Sequence, residues 1–168
     1  MGVEVRSARD DELAAAGALM VAGYDADGYL VRPNGTYDDL YAGWLADTAS
    51  RGADGSLLVA VEGDRMLGAV TWCPPGSPAR ELATEPHQGE FRTLAVDPAA
   101  RGRGVGRALV EACFDRARQL GMTEMIICSL TDMVPAHRLY TSLGFVRRPE
   151  LDWSPAEGID LLAFSAVV

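Results

Sequence analysis

The sequence contains no lysine, few cysteines and no long apolar run. Its fifteen basic residues are all arginine, against twenty-four acidic ones, and the formal net charge is −9. Nucleic-acid-binding proteins present a basic face to phosphates, so this balance predicts no nucleic-acid partner. A negative surface attracts cations instead, which fits a cationic small molecule or peptide as the partner.

The three cysteines are Cys73, Cys113 and Cys128, and no two of them have the spacing of a zinc site. We therefore predict no bound metal, and three small apolar side chains in a reducing cytoplasm. The longest apolar runs, such as residues 125–128, are far shorter than the roughly 20 residues that a membrane span needs. Residues 1–10 carry charges and no apolar stretch, which predicts no signal peptide and no membrane partner.

Apolar periodicity predicts the order β-α-α-β-β-β-α-β-α-β-β within one domain, residues 1–168. The predicted strands are 3–6, 56–62, 66–72, 90–96, 125–129, one that begins at 145–146, and 158–168. The predicted helices span residues 10–20, 37–50, 104–120 and 135–143. We expect an α/β (α+β) fold with a single mixed, mostly antiparallel sheet of about seven strands and helices on both faces.

Two segments between these elements have no periodicity. Residues 23–36 mix glycine, aspartate, proline and tyrosine, and residues 74–87 include four prolines, so both are predicted to be loops. The second is expected to be exposed. The apolar last strand could pair with a second copy in a homodimer or lie inside its own sheet.

A glycine-rich loop, Arg101-Gly102-Arg103-Gly104-Val105-Gly106, lies between a predicted strand and a predicted helix. Glycine lets an anion approach the backbone, and the first amides of a helix have no partner within the helix. Their partial positive charge favours an anion, and the side chains of Arg101, Arg103 and Arg107 add full charges. The loop therefore predicts a polyanion site.

Two common phosphate-binding motifs do not fit this loop. A Walker loop requires lysine, which the chain lacks, and a dinucleotide fingerprint requires glycine where Arg107 or Leu109 stands. A kinase or nucleotidyltransferase would also need metal-binding carboxylates near the loop, where Asp97 is the single candidate.

The loop resembles the acetyl-CoA pyrophosphate loop of the GNAT superfamily, Arg/Gln-x-x-Gly-x-Gly/Ala, with Arg101, Gly104 and Gly106 at its fixed positions. Downstream, the stretch from Ala136 to Phe145 is similar to the superfamily's Ala-x-x-Leu-Tyr-x-x-x-Gly-Phe segment. One departure is Met133, which stands where the family often has an asparagine that contacts the pantetheine arm.

This resemblance implies a bacterial acetyl-CoA-dependent N-acetyltransferase with acetyl-CoA as cosubstrate and no metal. Tyr140 is the implied general acid for the leaving sulfur. Glu90, four residues before Leu94 on the predicted strand, is the implied base, and His87 and Asp132 are weaker candidates. The implied cofactor-binding residues are Leu94, Ala95, Val96, Arg101, Gly102, Arg103, Gly104, Val105, Gly106 and Arg107.

The acceptor stays open at this point. Small-molecule amines and peptides both fit, and a protein lysine or N-terminal acetyltransferase is one alternative. An inactive acetyl-CoA sensor or interaction module is another, although such proteins lose the loop or the tyrosine that this chain keeps. We expect direct transfer in a ternary complex. Candidate acceptor contacts are Tyr24, Tyr29, Tyr37, Trp44 and Trp153, with Asp25, Asp27, Asp38, Asp39 and Asp152.

Overall fold

The computed structural model describes residues 2–168 and contains eight strands and five α-helices. The strands are β1 (Glu4–Ser7), β2 (Leu57–Glu62), β3 (Arg65–Cys73), β4 (Gln88–Val96), β5 (Glu124–Leu130), β6 (Val146–Arg147), β7 (Trp153–Ala156) and β8 (Ile159–Val167). The helices are α1 (Leu13–Ala26), α2 (Asp39–Ala46), α3 (Thr48–Gly52), α4 (Val105–Gln119) and α5 (Val134–Ser142).

The strands form one sheet in the order β1-β2-β3-β4-β5-β8-β6, and β7 pairs with β8. The β4–β5 pair is parallel, whereas β1–β2, β2–β3, β5–β8, β6–β8 and β7–β8 are antiparallel. The predicted mixed, mostly antiparallel α/β sheet is confirmed, with eight strands rather than about seven because β7 was not predicted. β5 has a neighbour on each side, as its apolar sequence predicted.

The chain divides into two compact units. One comprises the residues up to Trp72 together with Thr93–Ala112, and the other comprises Cys73–Arg92 together with Cys113–Val168. β4 and α4 each supply residues to both units. The single-domain organisation stays a prediction.

In the first unit, the helix predicted over 37–50 is two helices, because the chain breaks at Asp47. The Asp47 carboxylate accepts a hydrogen bond from the Ser50 amide (3.3 Å) and so caps α3. The buried guanidinium of Arg51 donates to the carbonyls of Leu45 (2.6 Å), Asp47 (2.9 Å) and Trp44. Since the last carbonyls of a helix have no partner within it, Arg51 satisfies the end of α2 that the break exposes.

In the second unit, the segment predicted to be an exposed loop is partly buried. Ala79 and Ala83 are 4% and 6% exposed. Arg80 binds the segment together by donating to the carbonyls of Cys73 (3.1 Å), Ala83 (3.2 Å) and Gln88. The prolines predicted a loop correctly, but the exposure was wrong because the arginine supplies hydrogen bonds that let the backbone be buried.

The last strand lies inside the chain's own sheet, where Glu124–Leu130 pairs with Leu161–Val167. A helix both long and apolar enough to cross a bilayer does not occur among residues 2–168.

Candidate functional site

The glycine-rich loop lies between a strand and a helix, as its sequence predicted. After β4, the Asp97 carboxylate accepts a hydrogen bond from the Ala99 amide (3.0 Å) and fixes the turn. Gly102 and Gly104 have φ values of 76° and 79°, in the left-handed region that costs other residues about 1–2 kcal/mol. The Gly104 carbonyl accepts from Ala108 (3.0 Å), so the first-turn amides of α4 follow directly after the loop.

Close packing around Gly68 holds the end of the strand before this loop against the start of the helix after it. A Cβ atom at Gly68 on β3 would lie 2.8 Å from the Ala95 carbonyl oxygen and 3.0 Å from side-chain carbons of Val105 and Leu109. Only glycine therefore allows β3, the end of β4 and the start of α4 to approach this closely. The predicted pantetheine strand, Leu94–Val96, and the loop are thus held in one packed arrangement.

Each of the three loop arginines lies close to a carboxylate. Arg101 makes a bidentate pair with Asp27 on α1's C-terminal side, with both distances 2.8 Å, and also donates to the Gly23 carbonyl at 3.3 Å. Arg103 pairs with Glu62 (2.6 Å), and Arg107 lies 3.6 Å from Glu111. These are partly exposed pairs of the kind that contributes about 0–1 kcal/mol, so the arginines keep their charges available at the surface.

A second backbone irregularity lies just before the predicted pantetheine strand. Thr93 has a φ of 57°, which is a strained conformation for a β-branched residue. Its hydroxyl lies 2.7 Å from the hydroxyl of Thr71, which in turn accepts from Arg51 (3.3 Å) in a buried network. The sequence around Thr93 gives no indication of this backbone conformation, because threonine is common in regular strands.

Tyr140, the predicted general acid, lies on α5 and is 5% exposed. The ring contacts Phe91, Phe145 and Phe164, with centroids 5.6–6.0 Å away. Within residues 2–168 its hydroxyl makes no hydrogen bond. Burial raises the pKa of Tyr140 above the ordinary phenol value, so the group stays protonated at neutral pH.

Glu90, the predicted base, is completely buried. Its carboxylate accepts hydrogen bonds from the backbone amides of Glu81 (3.0 and 3.1 Å), Leu82 (3.1 Å) and Ala83 (2.9 Å). Burial raises the pKa of Glu90, and the three amides together with the charge of Arg92 oppose that rise. Contact between Glu90 and an acceptor would require these amides to be displaced.

A neighbouring carboxylate was missed by the sequence analysis. The Glu81 carboxylate pairs with the Arg92 guanidinium at 2.6 Å, and its other oxygen accepts from the Cys128 thiol at 3.3 Å. Arg92 also donates to the Ala79 carbonyl at 3.0 Å. No local pattern around Glu81 signals this position, because it depends on how residues 74–87 fold back onto β4.

The weaker base candidates have surface partners. The His87 ring nitrogen lies 3.7 Å from Glu124, with the histidine side chain 53% exposed. Asp132 accepts from the hydroxyl of its neighbour Thr131. Among the described residues, neither His87 nor Asp132 forms a hydrogen bond or an ion pair with Glu90 or Tyr140.

The three cysteines are free thiols whose pKa burial raises, to about 12 for Cys73 and higher still for Cys113 and Cys128. A thiol nucleophile must ionise, so these surroundings disfavour a covalent acetyl-cysteine step. Residues 2–168 bring together no group of three or more potential metal ligands.

The predicted acceptor-binding residues are only partly brought together. In the first unit, Tyr24 contacts Tyr29 and Tyr41, and Tyr41 stacks on Trp44 at 5.6 Å. Trp153 belongs to the second unit, and Tyr37 is exposed. Three of the predicted acids are paired with arginines: Asp27 with Arg101, Asp38 with Arg32 and Asp152 with Arg147.

Comparison with known families gives one clear match. The model described as "Acetyltransferase (GNAT) family" matches residues 20–145. A mycothiol acetyltransferase of Geodermatophilus obscurus is 34% identical over 103 residues, which are 59% of this chain and 32% of that protein. A mycothiol acetyltransferase of Sanguibacter keddieii is 35% identical over 106 residues, which are 60% of this chain and 33% of that protein. The chain thus spans about a third of the length of these curated relatives.

Solved structures share the fold along nearly the whole chain. An acetyltransferase of Salmonella typhimurium, solved with its cofactor acetyl-CoA, has a TM-score of 0.68 and 21% identity, over 99% of this chain and 94% of that one. A GCN5-related N-acetyltransferase from Kribbella flavida has a TM-score of 0.70 and 24% identity, over 99% of this chain and 98% of that one. At these identities, the likeness concerns the fold.

Proposed function

Because the chain belongs to the acetyltransferase (GNAT) family, we propose that it transfers an acetyl group from acetyl-CoA to a primary amine. The observation that supports this most directly is the loop itself. Gly102 and Gly104 hold left-handed backbone conformations immediately before α4, at the family's pyrophosphate-loop positions. A helix start opened by such glycines presents backbone amides to a phosphate.

Open space beside the loop glycines supports a pyrophosphate site at this loop. A Cβ atom at Gly102 or Gly104 would meet nothing within 4 Å, so this side of the loop is open. The Arg103 side chain is 40% exposed, and its ion pair with Glu62 is of the surface kind that contributes about 0–1 kcal/mol. Arg103 can therefore exchange Glu62 for a phosphate oxygen at small cost.

We assign the pantetheine arm to Leu94, Ala95 and Val96, as the family resemblance implies. The β4–β5 ladder uses only Gln88–Glu90 of β4, so these three residues lie beyond it along the strand. Backbone groups of a strand can pair with the pantetheine amides in the way that an added strand would. An amide of this segment would also stabilise the negative charge that develops on the thioester oxygen.

Transfer requires the amine nitrogen to attack the thioester carbonyl and the CoA sulfur to leave. An alkyl ammonium has a pKa near 10.4, so forming the neutral amine at pH 7 costs about 4–5 kcal/mol. Proton transfer from an ordinary phenol to a thiolate costs about 2 kcal/mol, and burial of Tyr140 increases that cost. We therefore propose that Tyr140 donates a hydrogen bond to the developing thiolate. The ammonium loses its first proton to the base before attack, and the second proton, released from the nitrogen after attack, passes to the sulfur.

The acceptor is proposed to be a small-molecule amine. The similarity to proteins named mycothiol acetyltransferases supports this class over a protein substrate. The net charge of −9 also favours a cationic acceptor.

The direct test is a calorimetric titration of the purified protein with acetyl-CoA, followed by thiol-release assays with ethylamine, tyramine, spermidine and a glycyl peptide. We expect micromolar acetyl-CoA binding and amine-dependent CoA release. A folded protein that does not bind acetyl-CoA, or that binds it and acetylates none of these amines, would contradict the proposal.

The pH profile tests Glu90 as the base. A base must be deprotonated, so kcat/KM should rise with pH through the pKa of Glu90, which burial raises above the ordinary value of about 4.3. Glu90→Gln should remove that rise and lower kcat at neutral pH. If the variant instead keeps the rise and loses thermal stability, Glu90 acts by holding the backbone of residues 81–83.

A further inference from the structure

The side chain of Glu81 lies where the pairing between β4 and β5 ends. The parallel register joins Gln88 to Glu124 and Glu90 to Ile126. Continued by two residues, the same register would bring Arg92 opposite Cys128. Instead, the Glu81 carboxylate contacts both, at 2.6 Å from Arg92 and 3.3 Å from the Cys128 sulfur. A carboxylate from another segment thus occupies the place next to the last strand pair.

The main chain of Glu81 is held firmly. Its amide donates to both oxygens of the buried Glu90 carboxylate, and the next two amides donate to the same carboxylate. On the other side of the segment, Gln88 accepts from the amides of Thr84 (3.1 Å) and Glu85 (3.0 Å). Such preorganisation is what a side chain needs to hold a substrate group in a fixed position.

Arg92 lies close to two carboxylates, those of Glu81 and Glu90. Of the described residues, Arg92 supplies the one guanidinium that both pairs with Glu81 and lowers the pKa of the Glu90 carboxyl. The Oε2 atom of Glu81 accepts a hydrogen bond from the Cys128 thiol, which is a weak donor. An ammonium in place of the thiol would form a stronger, charge-assisted hydrogen bond with this oxygen.

We infer that Glu81 binds the amino group of the acetyl acceptor. Its carboxylate would keep the Arg92 ion pair on one oxygen and accept a charge-assisted hydrogen bond from the acceptor's ammonium on the other. The location fits, because Arg92 stands two residues before Leu94 on β4, the start of the segment proposed to bind pantetheine. The hydrogen bonds that the Glu81 amide donates to Glu90 hold the Glu81 backbone in this position. The inference rests on the proposed acetyl transfer.

The test measures KM and kcat for the best acceptor among ethylamine, tyramine and spermidine, together with the Kd for acetyl-CoA. Glu81→Gln should raise the amine KM about 10- to 100-fold, the usual range for losing a hydrogen bond to a charged group, and leave the acetyl-CoA Kd unchanged. Glu81→Asp should restore part of the loss. The matched control is Glu85→Gln, since Glu85 is an exposed acid of the same segment whose backbone alone is used.

Arg92→Gln separates binding from a structural role. It removes the same ion pair but leaves the Glu81 carboxylate, so it should change the amine KM less than Glu81→Gln does. Equal losses in the two variants, or an unchanged amine KM in a folded Glu81→Gln protein, would overturn the inference while the acetyl transfer stands. Failure of the wild type to acetylate any of the amines would instead remove the proposed function, and the inference with it.

Discussion

Replacing Gly104 with glutamate is expected to abolish measurable acetyl-CoA binding. The new carboxylate would project from the loop next to the first-turn amides of α4, where we place the pyrophosphate. A like charge against a bound anion costs several kcal/mol, which corresponds to more than about a 100-fold loss of affinity. The left-handed φ of 79° adds backbone strain to the substituted loop. Isothermal titration calorimetry gives the two dissociation constants.

Gly35→Glu is the matched control for this substitution. Gly35 has a φ of 84°, and its Cβ position is equally open, so the control introduces the same strain and the same charge in a different turn. Its affinity for acetyl-CoA should equal that of the wild type. Retained binding in a folded Gly104→Glu protein would move the pyrophosphate away from this loop.

Replacing Tyr140 with phenylalanine is expected to lower kcat about 100-fold or more, because one hydrogen-bond donor to a developing negative charge typically contributes about 10²- to 10³-fold. The ring keeps its contacts with Phe91, Phe145 and Phe164. Since the hydroxyl makes no hydrogen bond to the described residues, its removal should leave thermal stability and the acetyl-CoA Kd nearly unchanged. Steady-state thiol release and a melting curve measure these quantities.

Tyr37→Phe is the control, since Tyr37 is an exposed tyrosine whose loss should not change turnover. A Tyr140→Phe protein with kcat within a few-fold of the wild type would exclude Tyr140 as the donor to the leaving thiolate. The role of stabilising the leaving thiolate would then have to be assigned to another donor or to water.

Glu90 and Glu81 show where sequence reasoning stopped. The glutamate on β4 could be recognised because a family pattern points to that strand position. Its surroundings could not, because three amides from residues 81–83 reach it only after the chain has returned from β3. Glu81 itself lies in a proline-rich stretch that resembles any loop. Contacts between residues 36 or 47 positions apart, such as Gln88 with Glu124 and Cys128 with Glu81, leave no periodicity in the sequence.

The sequence by itself determined the strand–loop–helix that starts α4, since only glycine adopts the left-handed conformations at 102 and 104 without cost, and local chemistry therefore specifies them. It likewise determined the central β5, whose apolar residues on both faces admit no other position.

Tertiary structure alone decided the state of the charged groups. The pairing of Arg101 with Asp27 and of Arg92 with Glu81, and the burial of Glu90, depend on segments that are distant in the chain. Electrostatic interactions act through space, so their partners are fixed only once the fold has formed.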